Sequence, residues 1–298
     1  MKYAKHISAG VIAASLCVWY VAGAAEFSTS AGDNPVTVAA QATGLTLRTK
    51  IETIRGGEID WTRGVVCAVG VGKARPDFSG RQAELMAKRG AYIVAARNAA
   101  LVMAGIRVGP GGRFENVRNG WIRADVTLTG FRELGATYDP ATRTATARME
   151  LPLSGFRGAV SVLGLEENKA GRTWTWPEAS GGSSPYDVIV IDARGLACKP
   201  AVLPRIAAAD GQCVFDAAET LTGGTLNRPA ARYAVLPRDV KLPRTSDKNW
   251  RRCLAVRAGR VDADGAIVLD QVNLDILTCA PDAQQTLRKG KLVIVTDE

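Results

Sequence analysis

The one histidine of the chain, His6, stands within its first ten residues. With that segment removed no imidazole remains, which excludes Ser-His-Asp and Cys-His nucleophile activation, histidine metal ligation and histidine proton shuttling together. Carboxylate chemistry, a Ser-Lys dyad or an oxygen-ligand metal site would be left. Asp187 and Asp192 bracket the apolar run Val188-Ile189-Val190-Ile191. On a strand their separation points them to opposite faces, so they do not simply converge as a glycosidase acid/base pair. There is no Ser-x-x-Lys motif. Asp262-Ala263-Asp264-Gly265 begins like a calcium loop but lacks the later ligands and the terminal Glu, and reads as a hairpin turn. Gly70-Val71-Gly72 precedes a helix, but the third glycine of a dinucleotide loop would fall at Arg75. These residues assign no catalytic, cofactor-binding or metal-ligating group, and no cofactor is expected.

The start of the chain explains why His6 is expected to be lost. Lys2 and Lys5 form a basic region, residues 6–25 carry no full charge, and Ala22-Gly23-Ala24 offers small residues for cleavage. This describes a secretory signal peptide over residues 1–25, cut after Ala24 or Ala25. The alternatives are an uncleaved anchor and lipidation at Cys17, where Leu16 is bulky for a lipoprotein signal. Each places the rest of the chain outside the cytoplasm, periplasmic or outer-membrane-associated, and makes nucleic acid an unsuitable partner.

In that compartment thiols tend to pair. Five cysteines follow the signal, and their connectivity cannot be read from sequence. Cys198 with Cys213, which flank a hairpin signal at Asp210-Gly211, and Cys253 with Cys279, on neighbouring strand-like runs, are the expected disulfides. Cys67 is expected to be a buried thiol. The alternative is that all stay reduced.

The elements that would position these residues suggest an α+β chain. Residues 26–44 read as a flexible leader. Residues 45–163 form an N-terminal domain: the strand-like Gly64–Gly72, then a Pro-free stretch, Gly80–Gly105, in which Ala83, Met86, Ala87, Ala91, Val94, Ala95, Asn98, Leu101, Val102 and Gly105 recur at helical spacing as one packing face. So many alanines imply a helix lying close on a sheet. Two further strands are expected, at about Trp121–Leu134 and Thr142–Leu153, turning at Tyr138-Asp139-Pro140. Residues 164–186, rich in Gly, Ser and Pro, form a linker. Residues 187–298 form a mostly β domain of short apolar runs, with a hairpin at Asp264-Gly265 and a helix at Asp282–Leu287.

The formal charge is +9; without Lys2 and Lys5 it is 36 − 29 = +7. The excess gathers in Arg228, Arg232, Arg238, Lys241, Arg244, Lys248, Arg251, Arg252, Arg257 and Arg260, a candidate patch for an anionic partner such as an envelope polymer, with a solvated basic loop as the bland alternative.

Ala68-Val69-Gly70-Val71-Gly72, Ala95-Ala96-Arg97-Asn98, Gly105-Ile106-Arg107-Val108 and Met149-Glu150-Leu151-Pro152-Leu153 carry a family likeness. From Val66 to Leu153 the chain resembles the LPP-20-type lipoprotein family, whose domain also forms the N-terminal part of flagellar assembly protein T. Ala99 stands where that pattern usually has Leu, and the lipid-attachment cysteine of the lipoprotein members has no counterpart here. The resemblance implies an exported, non-catalytic envelope protein whose partners are flagellar basal-body or outer-membrane components. It supplies no catalytic residues. The segment Val190-Ile191-Asp192-Ala193-Arg194-Gly195-Leu196 resembles one that follows this domain in other exported proteins. The competing expectations are a carboxylate-dependent enzyme acting on an envelope polymer and a periplasmic small-ligand carrier. The oligomeric state is left open.

Overall fold

A computed structural model describes residues 34–109, 112–113, 130–154, 174–176, 186–218, 229–242 and 252–298. In chain order they form α1 (Pro35–Thr43), β1 (Arg48–Thr49), β2 (Ile51–Ile54), β3 (Gly57–Asp60), β4 (Val65–Lys73), α2 (Gly80–Ala104), β5 (Arg107–Gly109), β6 (Gly112–Arg113), β7 (Arg132–Asp139), β8 (Thr144–Pro152), β9 (Val188–Asp192), β10 (Arg205–Ala208), β11 (Cys213–Asp216), β12 (Arg232–Val235), β13 (Cys253–Val261), β14 (Ile267–Leu269), α3 (Gln271–Thr278), α4 (Ala283–Arg288) and β15 (Leu292–Thr296). The chain is α+β: a long helix on an antiparallel sheet, then a mostly β C-terminal region.

The first sheet has the order β2-β3-β4-β8-β7, every neighbour antiparallel. Alternation along β4 sends Val66, Ala68, Gly70 and Gly72 to one face, and α2 lies across it with Ala83, Ala87, Ala91, Ala95 and Ala99 fully buried. The fit is backbone against backbone. A Cβ on Gly70 would stand 2.2 Å from the Ala91 carbonyl oxygen and from the Ala95 nitrogen. Asn98 adds a polar anchor, its amide donating to the Val69 carbonyl at 2.7 Å. The turn expected at Tyr138-Asp139-Pro140 falls at Pro140–Arg143 between β7 and β8. Of the strand expected over Trp121–Leu134, residues up to 129 lie outside the described residues and only Arg132–Leu134 fall in β7, which continues to Asp139 through the residues expected to turn.

The second sheet has the order β1-β12-β15-β9-β13-β14-β10-β11. Its middle strands β12, β15, β9 and β13 are mutually parallel. Parallel strands covered on both faces read as unbroken apolar runs, as Val188–Ile191 and Leu292–Val295 do. Val188, Val190, Cys253, Val293 and Val295 face α1, while Ile189, Ile191, Leu254, Val256 and Ile294 face α3 and α4. The Asp264-Gly265 turn joins β13 to β14, with Gly265 at φ 88°. Asp262, the first residue of the calcium-like motif, accepts from the Ala266 amide at 2.8 Å and closes this turn.

Two expectations need correction. Part of the supposed leader is helical: Asn34 caps α1 by accepting from the Val36 amide at 3.1 Å, Pro35 is preset for its first turn, and Gly44 ends it in the left-handed region. Val36 and Ala39 bury against the second sheet. Nor is the second sheet confined to residues after 187, because β1 pairs with β12. The extended run 48–54 thus starts in one sheet and finishes in the other. Ile59, Trp61, Ile106, Ile189, Tyr233 and Leu254 then share one core. The linker expected over 164–186 lies outside the described residues except for 174–176 and 186.

Candidate functional site

Charged side chains collect in two places, the junction of the sheets and the carboxyl ends of the parallel strands. At the junction Trp61 and Thr62, just past β3, meet Tyr233 of β12. The Thr62 hydroxyl donates to the Tyr233 carbonyl at 2.6 Å and accepts from the Lys50 amide at 2.8 Å. The rings of Trp61 and Tyr233 pack edge to face, with centroids 5.6 Å apart. The Tyr233 hydroxyl bonds the backbone of Ala201, and burial pushes its phenol above the ordinary range. Glu52 accepts from Trp61 Nε1 at 2.9 Å and from Arg107 at 2.8 and 2.9 Å, while Arg107 also donates to the Pro200 carbonyl.

Beside them lies an enclosed ionic group. Arg63 forks onto Glu150 at 2.9 and 3.2 Å. Asp60 accepts from the Arg63 amide at 2.8 Å through Oδ1, while its Oδ2 and the Nε of nearby Arg232 are enclosed without a hydrogen-bond partner. Burial raises the Asp60 carboxyl above its usual range and lowers Arg232 to about 10. Burial first, and then Glu150, pushes the Cys67 thiol up to about 12. Such a thiol is a poor nucleophile at neutral pH. A hollow next to this group, walled by Trp61, Leu153, Val202, Leu203 and Ala231, has room for about one water.

The second cluster sits where β9 and β15 end. Arg194 donates to both oxygens of Asp192 at 2.8 Å and to the carbonyls of Pro237 and Val240 at 2.6 and 2.7 Å, its side chain 9% exposed. Asp297, beyond β15, accepts from Arg238 at 2.7 and 2.9 Å and from the Gly195 amide at 2.7 Å. The Arg238 fork, with help from Gly195, lowers the Asp297 carboxyl to about 2. Its folded pKa is below the ordinary value of about 3.9. The stability it contributes is therefore present above that value and lost as pH falls through about 2. We expect the difference in urea stability between the wild type and Asp297→Asn to shrink steadily as unfolding is repeated from about pH 4 to about pH 2.

Asp187 and Asp192 take separate partners at opposite ends of β9. Asp187 pairs with Arg252 and Asp192 with Arg194. Of the candidate basic patch, Arg228, Arg244, Lys248 and Arg251 lie outside the described residues. Arg232 is corrected: it is turned into the junction beside Asp60 rather than toward solvent. Arg238 and Arg252 reach solvent but are engaged by Asp297 and Asp187, whereas Lys241, Arg257 and Arg260 are exposed. Arg257 and Arg260 lie on β13 and Arg252 directly precedes it, so at about 3.3 Å per residue they are spread out rather than clustered.

No disulfide joins Cys198 to Cys213 or Cys253 to Cys279. Cys253 packs on the α1 face of the second sheet, whereas Cys279 caps α3 on the other face. Cys198 lies near Tyr233 of β12, whereas Cys213 is on β11 at the far end of the strand order. Burial pushes Cys253 up to about 12 and Cys198 to about 11. A maleimide at neutral pH is expected to label exposed Cys279 in the native protein and Cys253 only after denaturation, read by mass spectrometry. Failure of both to label in denaturant without reductant would contradict these thiol positions.

Nothing in the sequence marks Asp60, Arg63 and Glu150 as neighbours, or Asp297 as the partner of Arg238. Among the described residues, no three His, Cys, Asp or Glu side chains gather as a metal site, and no helix is long and apolar enough to cross a membrane. No curated protein matches the chain. A family model described as the second domain of Treponema pallidum Tp0624 matches residues 188–298, so from the first residue of β9 onward the chain is similar to that domain.

Proposed function

We propose that this is an exported, non-catalytic cell-envelope protein that binds or assembles with other envelope components, flagellar basal-body or outer-membrane proteins being the most specific candidates. The observation that carries the reading is the placement of the only histidine inside a segment with the pattern of a secretory signal. The resemblance of Val66–Leu153 to the LPP-20-type domain supports it. So do the charged pairs: Glu150, Asp192 and Asp297 are each held by an arginine, an arrangement that fixes loops and sheets together, while Asp60, whose carboxyl burial raises, is the exception and is shut away at 2% exposure.

The test is crosslinking in intact envelopes, with recovery of the tagged protein and mass spectrometry of its N-terminus and of the proteins captured with it. A start near Ala25 and enrichment of basal-body or outer-membrane components is the expected result. Recovery from the cytoplasm with residues 1–25 intact would overturn export. Recovery with only polymer or substrate fragments would overturn the assembly role.

A further inference from the structure

The outward side of α2 combines two features that its packing does not require. Leu85 and Ile93 are each 56% exposed, and Leu101 at 46% and Met86 at 42% turn outward instead of joining the packing face expected of them. At about 100° per residue, Leu85, Met86, Arg89, Ile93, Arg97 and Leu101 fall within about 80° of the direction of Ile93. Arg89 and Arg97 stand one turn either side of Ile93 and are exposed, and the helix's single acidic residue, Glu84, is off this face and bonded to Lys88 at 2.6 Å. The result is an apolar and cationic strip that runs about 24 Å from Leu85 to Leu101 along a helix of 25 residues.

We propose that this face of α2 docks on an anionic lipid surface. Apolar side chains between arginines suit the boundary between acyl chains and anionic headgroups, where the arginine stems lie along the apolar layer and the guanidinium groups reach phosphate. The sequence pI of about 9.4 adds long-range attraction. A second copy fits the face less well. Antiparallel pairing centred on Ile93 would set Arg89 of one copy against Arg97 of the other, and parallel pairing would set each arginine against itself.

The envelope reading above supplies only the setting in which such a surface is met. Vesicle binding is measured on the isolated protein, so its failure leaves the crosslinking result standing, and the reverse holds too. Protein made from the full chain is purified from envelopes and sedimented with vesicles of phosphatidylcholine alone or mixed with phosphatidylglycerol. The expected result is binding to the mixed vesicles, weaker at high salt, and at least about tenfold weaker for Arg89→Glu/Arg97→Glu. Ile93→Ser should also bind more weakly. Both variants change outward side chains, and unchanged circular dichroism verifies the fold. Equal binding to the two vesicle types, indifference to either substitution, or a dimer in solution that Ile93→Ser dissociates would each overturn the proposal.

Discussion

Replacing Gly70 by alanine is expected to lower the unfolding free energy by about 3 kcal/mol, at the upper end of overpacking effects. The added carbon would meet backbone atoms of Ala91 and Ala95 at 2.2 Å, and neither can turn aside as a side-chain tip can. Relief requires α2 to lift from the sheet, which uncovers the buried Ala87, Ala91 and Ala95 together. Gly72→Ala meets the Ala87 carbonyl oxygen at 2.3 Å and should behave alike, whereas Gly135→Ala, with open space around its Cβ, tests only the cost of its positive φ. Urea unfolding followed by circular dichroism reads all three. A loss at Gly70 no larger than at Gly135 would refute backbone contact between α2 and β4.

Arg194→Ala is expected to cost about 3 to 5 kcal/mol, the range for breaking a buried ion pair. It leaves the Asp192 carboxylate, with a side chain 14% exposed, without its fork and frees the carbonyls of Pro237 and Val240. Wild type and Arg194→Ala set the two ends of the scale. Arg194→Lys keeps the charge but cannot reach two oxygens and two carbonyls in one plane, so it should fall between the two. Proteolysis provides a local readout, with the 237–240 loop cut sooner in both variants. Unchanged cutting there would show that the loop is held by something other than Arg194.

How far these features could be read in advance depends on how local their causes are. The recurrent alanines of α2 and the glycines of β4 announced a helix lying close on a sheet, because period and side-chain size are properties of the segment itself. The Asp264-Gly265 turn and the helix near Asp282 were legible for the same reason. The helix α1 carries its own start and stop signals in Asn34, Pro35 and Gly44, but its apolar face is too short to show a period. The helix α3 likewise starts at a capping aspartate, Asp270, but it sits among short apolar runs whose pattern is that of strands. By contrast, the direction of the strands was not legible. Val188–Ile191 reads the same whether its neighbours run with it or against it, and only the partners β15 and β13 decide.

The charged groups were hidden by a similar dependence on partners. Arg232 looked like its basic neighbours in sequence, yet β12 turns it toward Asp60, a residue 172 positions earlier. Asp192 and Arg194 were noted within a recurring segment, but that Arg194 also holds the 237–240 loop emerges only when two strand ends meet. Asp297 acquires its role only from Arg238, 59 residues earlier in the chain.

The position of β15 in the second sheet bears on the order in which the molecule can assemble. Leu292–Thr296 is the last strand in this sequence, yet it lies between β12 and β9 and bonds to both. A growing chain that stops short of residue 292 therefore has no bridge between those two strands, and β1 has only an isolated strand to join. The sheet closes late and over large separations in sequence, conditions under which folding is slow. Until that strand arrives, the earlier apolar strands wait in an unfinished chain.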